Sequence, residues 1–471
     1  MNRPDRSFPS TPPAVLLATL MLGSMPVAAQ DEGPDETAGN PAVPAELAGH
    51  AFLPALSLLA PPPGASRDLM LSGKFVDGAR NDAPMSRPGD TGGLHGDRPT
   101  GLSLPFVGQP LQGFSGFAME TTEEGALYAM IDNGFGSKAN SPDALLRFVT
   151  VQPDWGTGTL AVDADAVLHD PDGVIPFRIV GEGGYARHLT GGDLDPESIQ
   201  VVGDTVWIGE EFGPYLISAT LDGRVTGIVD TVVEGEIVRS PDHPDLRVPA
   251  MPGTDYRVPR SGGFEGMAMT PDGSRLWAML EKPLLADDGE PEGDFLRVLE
   301  FDPAAGEWTG DAFRYRLDDG ATAIGDFNFV DGTRALVIER DNGEGDPSLA
   351  CADPQAPTPD CFPAPARFKR VVLIDTAERD EQGHVRKIAH VDLMDIADPG
   401  GVARLETDGV APDEGRFTFP FFTIESVKAV DANHIVVAMD NNLPFSSGRR
   451  LDRAADNEFI LLAVPGLLSA R

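Results

Sequence analysis

The sequence predicts an all-β fold, a β-propeller of about six or seven four-stranded blades with long loop insertions. Three observations point there: a hairpin unit with polar ends, its recurrence down the chain, and a turn-rich composition. Fifty-three Gly and 43 Pro are spread through 471 residues, and no long amphipathic period marks a helix.

The hairpin unit is clearest between Asp193 and Tyr215. Asp193, Asp195 and Glu197 open it, Ile199 to Val202 and Thr205 to Ile208 read as strands, and Gly203-Asp204 is a two-residue turn. Glu210-Glu211 closes it, followed by Phe212-Gly213-Pro214, which no helix or central strand tolerates. In a tight antiparallel pair the start of one strand and the exit of the other lie side by side, so these acids should gather at one sheet edge. The unit recurs from Phe264-Glu265 to Glu281-Lys282, from Asp326 to Glu339-Arg340-Asp341, and from Ile424-Glu425 to Asp440-Asn441-Asn442. A divergent copy runs from Ser115 to Asp132-Asn133. Long, unequal spacings between copies favour propeller blades over a tight solenoid.

From the N-terminus, Arg3 and Arg6, the apolar run Ala14 to Leu22 and the small residues before Ala29 have secretory signal anatomy over residues 1–29. The chain is therefore expected to be exported to the periplasm or the extracellular medium. No Cys near the site offers a lipid attachment point, and no later apolar run is long enough to span a bilayer. Residues 30–65 are rich in Pro, Ala and acids and read as a linker that buries little. Residues 66–471 form the propeller domain. Asp77 to Arg98 reads as an aperiodic loop, and Asp132 to Ser141 as a polar one whose glycines suit either backbone approach to a ligand or a plain structural turn. Glu234 to Arg260 and Asn342 to Phe368 read as long excursions, and a short helical turn is expected near Leu393. The last strand, Phe459 to Val464, is placed to pair with an early strand.

A formal charge of −38 disfavours nucleic acid and anionic membrane surfaces as partners. A small ester or phosphoester substrate and a monomeric state are expected instead. Cys351 and Cys361 are the only cysteines and, in an exported chain, read as a disulfide closing a loop. The usual nucleophile signals are missing: the Gly113-Phe-Ser-Gly stretch has Phe117 where a nucleophile elbow needs glycine.

What the sequence does supply is carboxylates at the repeat ends. Two readings compete for them: strand termini neutralised by Arg and Lys, or a hard-cation site. Like charges crowded at one face repel unless something positive compensates. On the second reading Asp195, Glu197, Glu265, Glu339, Glu425 and Asp440 are ligands for calcium or another divalent ion. Glu197, Glu265 and Glu211 are candidates for proton transfer and Arg340 for charge stabilisation. Asn133, Lys138, Arg187, Lys428 and Asn441 are candidate substrate contacts.

These motifs also resemble a known family. Asp-Pro-Glu-Ser-Ile from Asp195, Glu-Glu-Phe-Gly-Pro-Tyr to Tyr215, Gly-Phe-Glu-Gly-Met-Ala around Glu265, Glu-Arg-Asp at Glu339 and the final Asp-Asn-Asn are similar to the phytase-like propeller family, described as having esterase-like activity. The resemblance runs from about Pro105 to Pro465. It implies calcium ions in an acidic central cleft that hold phosphate and activate water. The function expected is an exported hydrolase of ester or phosphoester bonds. The alternative is a non-catalytic propeller module that holds a ligand or a divalent cation.

Overall fold

The computed structural model describes residues 40–471, except 90–97, 248, 357, 359–360, 406–414 and 451. The expected signal segment lies outside the described residues. Among those described, the fold is carried by three four-stranded antiparallel sheets and one larger sheet, which comprises two further four-stranded antiparallel groups joined by a parallel pairing at Phe52↔Thr159.

The first blade runs Phe114–Thr121, Leu127–Ile131, Arg147–Asp154, Thr159–Val167, from inner to outer strand. The second is Pro196–Val202, Thr205–Glu210, Tyr215–Thr220, Val225–Asp230, and the third Phe264–Met269, Leu276–Leu280, Leu296–Asp302, Glu307–Tyr315. The fourth is Ala323–Phe329, Arg334–Arg340, Lys369–Arg379, Val385–Asp392. Inner strands are buried almost throughout, so they read as apolar runs, whereas outer strands alternate with solvent.

The fifth blade is assembled from both ends of the described chain. Thr423–Ala429, His434–Asp440 and Asn457–Ala463 are completed by Glu46–Leu53, which pairs antiparallel to Asn457–Ala463 from Glu46↔Ala463 to Leu53↔Asn457. The expected linker over 30–65 is thus corrected: Ala45, Leu47 and Ala51 are core residues. A strand whose main partner lies some four hundred positions away, with single parallel pairings to Thr159 and Ala397 besides, gives no local hairpin signal. Gly49 within it takes the ring of Trp155 from the first blade, which would stand 2.7 Å from a Cβ there.

Apolar layers fill each junction between blades. Phe148, Ile199 and Ile208 pack the first on the second, Trp207, Met267 and Phe301 the second on the third, and Met279, Phe313 and Phe327 the third on the fourth. Leu336, Ile424 and Ile460 join the fourth to the fifth, and Phe114, Val149 and Phe459 return from the fifth to the first. The inner strands contact one another in that same cyclic order. The count of six or seven is therefore corrected to five among the described residues. Among the described residues the additional length lies in loops and two-stranded ribbons, not in further four-stranded sheets.

Before the first inner strand the chain builds two-stranded ribbons, pairing Leu58–Leu59 with Gln109–Pro110, Leu71–Ser72 with Phe106–Val107 and Met85–Gly89 with Arg98–Leu104. Part of the expected aperiodic loop is thus strand. The helical turn expected near Leu393 is a non-helical turn leading into the two-residue strand Ile396–Ala397. Cys351 and Cys361 are disulfide-bonded, as the cysteine usage predicts.

Candidate active site

One local device recurs in all five blades. Each inner strand slips register against its neighbour close to its start, and the slip falls on Ser115, Glu197, Glu265, the Gly325-Asp326 pair and Glu425. A bulge leaves its extra residue unpaired and re-aims its side chain. Directly across, the second strand of each blade runs out at Asp132, Glu211 and Glu281, each the residue after the strand, and at Arg340 and Asp440, each its last residue. Ten positions, two per blade, therefore gather at one end of the inner strands. Asp195 adds a further acid, its carbonyl accepting from Glu211 N–H at 2.9 Å. The matching position in the first blade is Gly113, where a Cβ would lie 2.7 Å from Asp132 Cβ and 2.8 Å from Asp440 Oδ1.

Eight carboxylates result: Asp132, Asp195, Glu197, Glu211, Glu265, Glu281, Glu425 and Asp440. Most are buried. Burial, then like charges, pushes Glu197, Glu211, Glu265 and Asp440 well above the ordinary carboxylate range. Asp195 is pushed up in the same way, with Asp132 the first of its charged neighbours. Burial raises Asp132 to about 6 and Glu425 to about 7, the latter against the opposing pull of Arg340. Asp132, Asp195 and Glu197 form the tightest group, each offering an oxygen within 4.8 Å of the others.

Two cations meet this wall. Arg340 Nη2 donates to Glu425 Oε1 at 3.1 Å and lies 3.7 Å from Glu281 Oε1, while its Nε is buried without a hydrogen-bond partner. Lys282, at the exposed rim, pairs with Glu281 at 3.3 Å and donates to the carbonyls of Arg260 and Ser261. Glu211 Oε1 and Glu265 Oε1 are buried and accept no hydrogen bond. A buried carboxylate oxygen without a donor carries a desolvation cost that a cation relieves. The donor set is all oxygen, which fits a hard divalent ion such as calcium.

Several sequence-nominated residues belong elsewhere. Glu339, expected among the ligands, faces away: it accepts from Tyr315 Oη at 2.7 Å and pairs with Lys387. Strand alternation explains this, since its neighbour Arg340 takes the inward direction. Glu210 is likewise spent on the turn, accepting from the amides of Phe212, Gly213 and Tyr215. Arg187, expected at the substrate, staples its own loop to Asp170 and Glu182. Lys428 donates to the carbonyls of Ala118 and Glu120, further along the first inner strand. Asn441 is wholly buried, accepting from Gly113 N–H at 3.3 Å and donating to Ala455. Asp326 is no ring acid either; it accepts from the amides of Phe117, Phe327 and Val427 and ties three blades together.

Asn133 does reach the ring, its Nδ2 donating to Asp195 Oδ1 while its Oδ1 accepts from Gly136 N–H at 3.2 Å. Lys138 sits over Phe212, in the turn that follows Glu211, with Nζ 5.1 Å from the ring centroid and donating to Asp242 O at 2.9 Å. Asp132 and Glu281, seen in the sequence only as repeat ends, are full members of the set. Their signal was the exit position shared with Glu211 and Asp440.

A stretch of 137 residues is 28% identical to an uncharacterized secreted protein of Arthroderma benhamiae, covering 26% of this chain and 26% of that protein. The match thus spans about a quarter of the relative's length. Among solved structures, the periplasmic gluconolactonase of Pseudomonas aeruginosa is 13% identical, with 74% of this chain and 88% of that one covered and a TM-score of 0.28. The β-propeller domain of Cps50 from Myceliophthora thermophila is 11% identical, with 77% and 86% covered and a TM-score of 0.30. At such scores nothing about the chemistry of this chain follows from either. A family model described as phytase-like, esterase-like activity of phytase, matches residues 109–443, so the chain belongs to the phytase-like family.

Proposed function

We propose that this protein is an exported hydrolase of ester or phosphoester bonds that works at a cation-assisted acidic ring. The observation that carries the reading is the Asp132, Asp195 and Glu197 group, three oxygen donors within 4.8 Å in a wall of carboxylates that Arg340 and Lys282 alone do not neutralise. Asp440, beside Gly113 and Asp132, completes the ligand set, and Asn133 orients Asp195. A divalent cation held there supplies charge stabilisation for an anionic substrate oxygen and acidifies a water.

The proton work is assigned to Glu425 in place of Glu197, Glu211 and Glu265. Its carboxyl, raised to about 7, is matched to neutral operation. It takes the proton of the attacking water and returns it to the leaving alkoxide. Arg340, already bonded to Glu425, donates to the oxyanion that develops. Lys138 and Lys282 are placed to meet an anionic substrate, and export follows from the signal-like segment 1–29.

The test is a panel of nitrophenyl phosphate, a phosphodiester and short acyl esters, run with calcium and with chelator. Turnover that needs calcium and is lost in both Glu425→Gln and Asp195→Asn is expected. A flat panel alongside measurable calcium binding would make the protein a binding module.

A further inference from the structure

We propose a separate small-molecule site, a cleft between the first and second blades at the end of the strands opposite the carboxylate ring. The ligand class it fits is a small primary ammonium ion on an apolar body. The proposal stands independently of hydrolysis at the ring.

The cleft begins where the apolar packing of the junction stops. In the first blade Met130, Phe148 and Ala166 lie side by side across three strands and pack on Ile208 and Ile217 of the second. One row further from the ring come Tyr128, Thr150 and Ala164, again side by side. There the second blade turns between its third and fourth strands, and a cavity of about 520 Å³ lies between this row and Leu221. Glu124 closes its lower side, in the turn between the first two strands of the first blade, at the far end from Asp132. A cavity of this size accommodates a small organic molecule.

Its lining is one-sided in charge. Ala126, Phe148 and Leu221 give an apolar wall, Tyr128, Thr150 and Gln152 give hydroxyls and an amide, and Glu124 and Asp163 are its carboxylates; no Lys, Arg or His lines it. Among the described residues the side chains of Glu124, Tyr128, Thr150, Gln152 and Asp163 make no hydrogen bond or ion pair within the chain. Asp163 reaches the cleft through a backbone device. The pairing slips between Thr150↔Ala164 and Val151↔Val162, which makes Asp163 the extra residue of a bulge. Regular alternation would turn it with Asp165, which pairs with Val149 on the face toward the fifth blade and binds Arg147 Nη1 at 3.0 Å.

An acid-only lining repels carboxylates and phosphates, so the anionic substrate proposed for the ring is excluded here. An ammonium group meets Asp163 and Glu124 as charged acceptors, while the half-buried Tyr128 ring offers cation–π attraction and the apolar wall takes the ligand's body. A bare metal ion would find only two carboxylates and a largely apolar wall, a poor match for a hard cation.

Calorimetric titration of the full chain with phenethylammonium chloride tests this, with phenethyl alcohol as the uncharged counterpart. Saturable binding of the amine is expected, weakened about tenfold in Asp163→Asn and for the alcohol, by the loss of one charge-assisted hydrogen bond. Ala164→Trp, which fills the cleft from an exposed position, should abolish it, and Asp195→Asn at the ring should leave it unchanged. Binding lost in Asp195→Asn and kept in Asp163→Asn would place the amine in the ring and overturn the cleft. An equal loss in both variants would mark diffuse attraction to a chain of charge −38 and overturn it too. No saturable uptake of the amine, or equal affinity for the alcohol, would likewise overturn it.

Discussion

The fifth blade is held by a buried ion cluster whose strength can be worked from its geometry. Glu458, on the strand Asn457–Ala463, accepts from Arg449 Nη2 at 2.7 Å and Nε at 3.1 Å, and lies 3.0 Å from His50 Nε2 on the strand Glu46–Leu53. His50 Nδ1 accepts from Arg404 N–H, so its Nε2 is the donor to Glu458. Burial alone would push the Glu458 carboxyl up; Arg449 and His50 overcome this and hold it at about 2. A drop from 4.5 to about 2 corresponds to about 3 kcal/mol of stability. Because the folded value lies below the unfolded one, that stability is present above pH 4.5 and is lost as pH falls toward 2. Glu458→Gln should therefore cost about 3 kcal/mol in urea unfolding at pH 7, with a progressively smaller cost between pH 4.5 and 2. A cost under about 1 kcal/mol at pH 7, or one independent of pH, would refute the reasoning, given that breaking a buried pair typically costs about 3–5 kcal/mol.

Two other perturbations address the frame around the site. Asp326→Ala removes the acceptor for Phe117 N–H and Val427 N–H, so a loss of about 3 kcal/mol is expected from stranding buried amides, read as a lower urea midpoint at unchanged slope. Cys351→Ala opens a short loop and should cost about 3 kcal/mol by the loop-entropy argument. Intact mass with alkylation checks the bond itself, since two alkylatable thiols in the unreduced, denatured protein would contradict it.

The sequence made the blade starts legible because bulge, hairpin turn and polar exit are all local. Ser115, Glu197, Glu265 and Glu425 fall on register slips, whereas in the fourth blade the slip takes in Gly325 as well and Asp326 turns to backbone amides. Which of two adjacent charged residues faces inward was not legible. Glu210 and Glu211, like Glu339 and Arg340, can be told apart only once strand register is known. The cations misled for a different reason. Arg187 is spent on Asp170 and Glu182 within its own loop, and Lys428 finds its partners through tertiary contacts, with carbonyls some three hundred positions away. The N-terminal strand escaped notice for the same reason, and the blade count was overestimated because length was read as sheets.

The central claim is that the carboxylate ring is a cation site, and thermal melting tests it most directly. An ion that binds only the folded chain stabilises it by about 2.7 kcal/mol at a hundred times its dissociation constant. The wild-type protein should therefore melt higher in millimolar calcium than in chelator. That gap should shrink in Glu197→Gln and in Glu265→Gln, and stay unchanged in Asp288→Asn, where the acid caps the exposed Glu290 amide. Superimposable wild-type melting curves in calcium and chelator would contradict the account and leave the ring neutralised by Arg340, Lys282 and shared protons alone.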